Sequence, residues 1–160
     1  MQTVGAVVGI LTASAVALGS FLWWRAERSR ELWVLLRSIR AFLADEVIAP
    51  GGAEASAFMT DERKAEEREL EDVLDRLHDK KLRKHVSAAL ESYKDAFTFA
   101  PPRERDIQPT ADERRVSADR AARFERQRES AGTALTEIAA ARDRLNQLER
   151  FLIRKSLESR

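Results

Sequence analysis

Cysteine is absent from this chain, which excludes disulfide bonds, thiolate metal sites and a cysteine nucleophile. Its six glycines form neither a phosphate-binding loop nor a dinucleotide-binding fingerprint, and no G-x-S-x-G elbow occurs. The two histidines, His78 and His85, stand among lysines and arginines that oppose the binding of a metal cation. We therefore expect no catalytic residue, no cofactor and no metal site, and we expect that the chain is not an enzyme.

Charge is missing from residues 1–24, whereas all 28 basic and 27 acidic side chains lie in residues 25–160. This division predicts an apolar segment followed by a strongly charged body. The formal net charge of only +1 removes any whole-chain electrostatic argument for binding nucleic acid.

Residues 3–24 form an apolar run of 22 residues. As a helix rising about 1.5 Å per residue, the run would cover about 33 Å, enough for the hydrocarbon core of a bilayer. Tryptophan and arginine side chains are typical of the boundary between lipid and water. Four such interface anchors end the run or follow it: Trp23, Trp24, Arg25 and Arg28. The pattern predicts a transmembrane helix.

The predicted anchor, residues 1–24, also has a predicted orientation. Arginines are concentrated on its carboxyl side, so the positive-inside rule places the amino terminus outside and the body in the cytoplasm. We expect a single-pass protein of the cell (inner) membrane, with membrane lipid as a partner. A cleaved signal peptide is the alternative, because residues 13–15 and 15–17 are acceptable cleavage triplets. A signal peptide also has a basic region ahead of its apolar run, and none is present here.

Small residues recur every four positions along the predicted span, at Gly5, Gly9, Ala13 and Ala17. Such a stripe lets a second helix approach closely, so it predicts a helix–helix contact within the membrane. The alternative is that glycine and alanine are simply common in membrane helices.

The predicted fold class is all-α, with one transmembrane helix followed by a cytoplasmic helical bundle or coiled coil that ends in a long helix. Thr60 and Asp79 are expected to cap two helices, with a single kinked helix across residues 78–79 as the alternative. Helical spacing and helix breakers divide the body. The predicted segments are a juxtamembrane amphipathic helix continuous with the span (25–48), a loop (49–59), a helical hairpin (60–100), a proline-rich linker (101–109) and a long amphipathic helix (110–160). The apolar face of segment 25–48 either packs against other helices or lies on the membrane surface.

The long helix has apolar residues with a seven-residue repeat, which predicts one face of a coiled coil or of a helical bundle. The repeat positions are Phe124, Ala131, Ile138, Leu145 and Leu152, with Ala134, Ala141 and Leu148 between them. We expect Phe124, Ile138, Leu145, Leu148 and Leu152 to form the face that contacts a partner or the rest of the bundle.

Charges of one sign cluster along the body. Residues 61–75 contain eight acidic and three basic side chains, residues 76–85 five basic and one acidic, and residues 114–128 six basic and two acidic. One interpretation is that acidic and basic helices lie side by side and neutralise each other. The other is that an arginine patch binds an acidic partner, nucleic acid or anionic lipid. The residues of that basic patch are Arg114, Arg115, Arg120, Arg123 and Arg126.

These features favour a single-pass, membrane-anchored helical interaction protein, an accessory or scaffolding subunit of a membrane complex. Its partner would be another membrane or cytoplasmic protein, or a second copy of the chain. The alternative is a membrane-tethered binder of nucleic acid or anionic lipid through residues 114–128. A secreted helical protein would follow if the apolar segment were cleaved.

Overall fold

A computed structural model describes residues 29–102 and 113–158, except for the side chains of residues 113–117, 152 and 155–158. Every regular element in these two ranges is helical, and neither range contains a strand. The prediction of an all-α fold is therefore confirmed.

The first described helix, α1, covers residues 29–42 and continues into a π-helical turn, Leu43–Ile48. Its apolar side chains recur every three or four residues and form one face. That face is almost completely buried, Leu36 and Val47 having no exposed surface. The described part of segment 25–48 thus packs into the protein interior and does not offer its apolar face to a membrane surface.

The segment predicted as a loop, residues 49–59, contains a one-turn helix, α2 (Ala55–Phe58), so that prediction is wrong over these four residues. Proline and glycine in the segment suggested a loop, but its end is held by two contacts. The Ala55 amide donates to the Pro101 carbonyl at 2.9 Å. The Phe58 ring is buried against the ring of Phe42, with centroids 4.9 Å apart.

Two capped helices follow, and both caps confirm the sequence prediction. Helix α3 (Asp61–Asp75) begins where the Thr60 hydroxyl accepts from the Arg63 amide at 3.3 Å. Helix α4 (Lys80–Phe99) begins where the Asp79 carboxylate accepts from the Leu82 amide at 2.8 Å. Residues 76–79 are not helical, so this part of the chain is two helices and not one kinked helix.

The last helix, α5 (Glu113–Glu158), runs antiparallel to α4. Near one end of the pair, the Gln127 side chain bonds to the Ala96 carbonyl at 3.3 Å. Further along, His85 bonds to Glu137 at 2.7 Å. Residue numbers rise along α5 as they fall along α4, which fixes the antiparallel direction.

Helix α1 is also antiparallel to α5. The Arg142 guanidinium lies 5.1 Å from the centroid of the Trp33 ring, whereas Ala53, after α1, bonds to Gln127. As the chain passes from residue 33 to residue 53, its partners on α5 therefore move back from 142 to 127.

Helix α3 lies between α4 and α1 and completes the bundle. Lys94 pairs with Glu67 at 3.3 Å and Arg83 pairs with Asp75 at 3.7 Å, so α3 and α4 are antiparallel. On the other side, the Ser38 hydroxyl of α1 donates to an α3 glutamate. The four long helices form an up-down-up-down bundle.

All four long helices contribute to a single core, and α5 contributes mainly small residues. The principal core residues are Leu32, Leu36, Ile39, Leu43 and Val47 of α1 and its π-helical turn, Leu70 of α3, Leu82, Val86, Leu90 and Tyr93 of α4, and Ala131, Ala134, Ile138, Ala141 and Leu145 of α5. Because alanine leaves little side chain between backbones, α4 and α5 pack closely along their length.

Within residues 29–102 and 113–158, none of the helices has the length and apolar character that crossing a membrane requires. The predicted span, residues 1–24, lies outside these ranges. So do the predicted membrane-helix contact and interface residues: Gly5, Gly9, Ala13, Ala17, Trp23, Trp24, Arg25 and Arg28.

Candidate functional site

The predicted contact face of α5 lies inside the chain's own bundle. Ile138 has no exposed surface and Leu145 is only 6% exposed. Phe124 and Leu148 are half-buried, and the side chain of Leu152 lies outside the described residues. The described part of this face therefore packs on α1 and α4, as expected for one arm of a bundle.

The same face contains a buried polar residue that the sequence interpretation missed. Gln127 is fully buried, and its side-chain amide exchanges two hydrogen bonds with the backbone of Ala53. Its Nε2 donates to the Ala53 carbonyl at 2.9 Å, and its Oε1 accepts from the Ala53 amide at 2.8 Å. The amide thus replaces a backbone partner and fastens the segment after α1 to α5. The signal was available, because position 127 falls in the seven-residue repeat, three residues after Phe124.

Next to Gln127, the amino-terminal part of α5 contacts the segment after α1 through an ion pair and through the packing of an aromatic ring. Arg120 pairs with Glu54 at 2.9 Å and lies over the ring of Phe124, 5.4 Å from its centroid. That ring lies against Gly52, where a Cβ atom would collide with it. Arg120 is therefore a structural contact between the loop and α5.

The described arginines of the predicted basic patch each contact another group of the protein. Besides Arg120, the Arg123 side chain pairs with Asp119 at 3.1 Å, and Arg126 lies 5.9 Å from the centroid of the Phe99 ring. The side chains of Arg114 and Arg115 lie outside the described residues. These contacts leave the described part of the patch with less unbalanced charge than its composition suggests.

The interpretation that acidic and basic helices lie side by side holds for α3 and α4, whereas the described side chains of this patch have no ion pair with residues 61–75. Among the described side chains, no ion pair joins α3 to α5. The acidic residues of α3 pair instead with Arg83 and Lys94 of α4. Glu71, with help from Glu67, raises the pKa of Lys94 on α4. Burial, reinforced by the negative charge of Glu67, raises the pKa of Tyr93 to about 12.

A bidentate ion pair joins the α3–α4 turn to α5. Arg144 donates to both carboxylate oxygens of Asp79, from Nη2 to Oδ2 at 2.7 Å and from Nε to Oδ1 at 3.1 Å. This bidentate bond, together with the backbone amide of Leu82, lowers the pKa of Asp79 to about 2 despite its partial burial. The contact fixes the turn at the level of Arg144 along α5.

Both histidines contact other groups of the protein. His85 bonds to Glu137, and the exposed His78 contacts the Arg76 carbonyl at 2.9 Å. Within the described residues, no group of three or more metal-binding side chains comes together.

The other basic segment, residues 76–85, keeps most of its positive charge without an acidic partner among the described residues. Its acidic residue, Asp79, forms an ion pair with Arg144 of α5. Four exposed cations of the segment have no carboxylate within ion-pair distance among the described residues: Arg76, Lys80, Lys81 and Lys84. Composition revealed this block, but only the bundle shows that it lies at the end where α5 also exposes Phe151 and Ile153.

Comparisons with protein-family models, with curated proteins and with solved structures find no match for this chain.

Proposed function

We propose that the chain is a single-pass, membrane-anchored helical interaction protein that serves as an accessory or scaffolding subunit of a membrane complex. Residues 1–24 would span the membrane, and the bundle would lie on the cytoplasmic side. The partner would be another membrane or cytoplasmic protein, or a second copy of the chain.

The observation that carries this proposal is the position of α1. Only four residues separate the apolar segment from Ser29, and from there the helix contributes core residues in every turn. The bundle is therefore held next to the end of the apolar segment and not on a long tether. A partner bound by the segment would therefore lie close to the bundle, as a scaffold requires.

The shifted pKa values support an interaction role more than a catalytic one. The pKa of Asp79 is lowered chiefly by the salt bridge to Arg144, and the pKa of Lys94 is raised by two glutamates of the neighbouring helix. Both are explained by contacts that hold helices together, so neither group is held ready for proton transfer. The alternative function, binding nucleic acid or lipid through residues 114–128, has less support because Arg120 and Arg123 have carboxylate partners.

The topology can be tested with single-cysteine variants, because the chain has no cysteine of its own. We expect Met59→Cys, at an exposed site of the bundle, to react with a membrane-impermeant maleimide only after cells are lysed. We also expect the chain to stay with membranes during alkaline extraction. Labelling of Met59→Cys in intact cells, or a mature mass that lacks the apolar segment, would refute the proposed topology.

The assembly can be tested by purifying the full chain in mild detergent and measuring its native mass. We expect a stoichiometric complex with a second protein, or a homo-oligomer. Replacing Gly5 and Gly9 by leucine should weaken that complex if the small-residue stripe is the contact. A strictly monomeric chain with no stoichiometric partner would contradict the scaffold function.

A further inference from the structure

Three elements meet at one end of the bundle. Arg144 on α5 holds Asp79, so the α3–α4 turn lies at the level of residue 144. Two residues away, Arg142 lies over Trp33, so the first turns of α1 lie at the same level. The basic segment 76–85, the start of α1 and the last turns of α5 therefore share one end.

Helix α5 extends further at this end than the described part of α1. From residue 142 to Ile153 it rises about 16 Å, whereas α1 extends only about 6 Å back from Trp33 to Ser29. The end of α5 thus projects about 10 Å beyond Ser29. Trp24 is five residues before Ser29 and, in any conformation, its Cα atom lies within about 19 Å of that of Ser29. Ile153 can therefore reach the level at which the apolar segment ends.

The side chains at this end suit a membrane surface. Ile153 is 62% exposed and Phe151 is 56% exposed, next to the exposed Arg150. Aromatic and basic side chains close together are typical of the boundary between lipid and water. The exposed lysines of segment 76–85 add positive charge, which anionic headgroups attract.

We propose that this end of the bundle docks on an anionic lipid surface. The surface, called here the basic end, consists of Lys80, Lys81, Lys84, Arg150, Phe151 and Ile153. The inference rests on the proposed function, in which residues 1–24 span the membrane. The basic end adjoins that segment, so a segment that spans the membrane would bring a bilayer next to it. An acidic protein is the other partner that would bind the lysines. If it were the true partner, the environment of Ile153 would not change in a sample that contains only the chain and lipid.

The test uses the full chain in lipid nanodiscs, with an environment-sensitive fluorophore on Ile153→Cys. In nanodiscs that contain phosphatidylglycerol, we expect blue-shifted emission and strong quenching by spin-labelled lipid. In nanodiscs of phosphatidylcholine alone, both effects should be weak. The matched control is Met59→Cys at the opposite end of the bundle, which should show water-exposed emission in both lipids.

Charge removal provides the second arm. Each Lys→Gln change at positions 80, 81 and 84 in the Ile153→Cys background should lower the ratio of docked to undocked protein about fivefold. Added salt should act in the same direction. Circular dichroism of each variant checks that the helices are intact.

The outcomes separate the two proposals. If the chain did not incorporate into nanodiscs, the proposed membrane anchor would be refuted, and the proposed lipid docking with it. A chain that incorporates but keeps water-exposed, unquenched emission at position 153 in anionic lipid would overturn the docking alone. Equal quenching at positions 153 and 59 would also overturn it, because the basic end would then not be distinguished.

Discussion

Asp79 both caps α4 and binds Arg144 of α5. One carboxylate accepts the Leu82 amide at 2.8 Å and two guanidinium bonds of 3.1 and 2.7 Å. The start of one helix and the side of another are thus joined at a single residue of the α3–α4 turn. We expect this link to contribute to the acid sensitivity of the bundle.

We expect the contribution of Asp79 to stability to be lost in acid. Its pKa falls from 3.8 to about 2 on folding, chiefly because of the Arg144 hydrogen bond. A carboxylate with a lowered folded-state pKa stabilises the protein fully above the unfolded value and loses that effect as pH falls through the folded value. The free energy of unfolding should therefore decrease between about pH 4 and pH 2. Urea unfolding of the full chain in detergent, followed by circular dichroism across this range, measures it.

Two substitutions separate the cap from the charge. Asp79→Asn keeps a good N-cap and removes the charge, so it should flatten the pH dependence and cost about 1 kcal/mol or less near neutral pH. Asp79→Ala removes both functions and should cost about 1–2 kcal/mol. If Asp79→Asn kept the acid sensitivity of the unsubstituted chain between pH 4 and 2, another carboxylate would be responsible.

We expect Gln127→Met to loosen the connection between α1 and α2. The substitution has similar volume but leaves the amide and carbonyl of Ala53 without their partner in a buried place. Each buried polar group that loses its bond costs about 1–3 kcal/mol, so a total loss of about 2–6 kcal/mol is expected for the two groups. Hydrogen exchange should speed up first in residues 49–55. The control is Gln147→Met on the exposed side of α5, which removes only an exposed 3.3 Å hydrogen bond from Arg144 and should change both quantities much less.

Local signals predicted much of this fold. Thr60 and Asp79 were identified as caps because a cap depends on residues within one turn of the helix. The burial of α5 also followed from its repeat. The repeat did not predict which helices cover that face, because an apolar repeat is the same whether a second chain or the chain's own helices pack against it.

Contacts between segments that are distant in the chain could not be predicted from the sequence. The partner of Gln127 is a backbone group 74 residues away, which no side-chain pattern marks. Likewise, the basic segment 76–85 was visible, but its place beside the end of α5 depends on helix direction and on the Asp79–Arg144 bond. Composition also suggested that acidic and basic segments pair. Residues 61–75 do pair with α4, but no ion pair joins them to the described side chains of 114–128.

The two adjacent glycines of the loop should respond differently to alanine. Gly51 has φ +85° and open space around it, so Gly51→Ala pays only for the left-handed backbone, about 1–2 kcal/mol. Gly52 has φ +139°, and a Cβ atom there would collide with the Phe124 ring, so Gly52→Ala should cost clearly more. Thermal unfolding of the two variants makes the comparison. Equal losses would mean that the ring moves aside freely, and adding Phe124→Leu to Gly52→Ala should restore part of the stability if the ring is the obstacle.

The small core residues of α5 should not tolerate larger side chains. Ala134 is completely buried where α5 packs on the other helices, so Ala134→Leu must push helices apart and should cost about 2 kcal/mol or more. Ala139→Leu adds the same side chain to an exposed position of the same helix and should change stability little, since leucine and alanine both favour helix. Urea unfolding gives both values. If Ala134→Leu were instead neutral, or if Ala139→Leu were the more harmful change, α5 would present a different face to the bundle, and the buried seven-residue repeat would have to be reassigned to a contact with another chain.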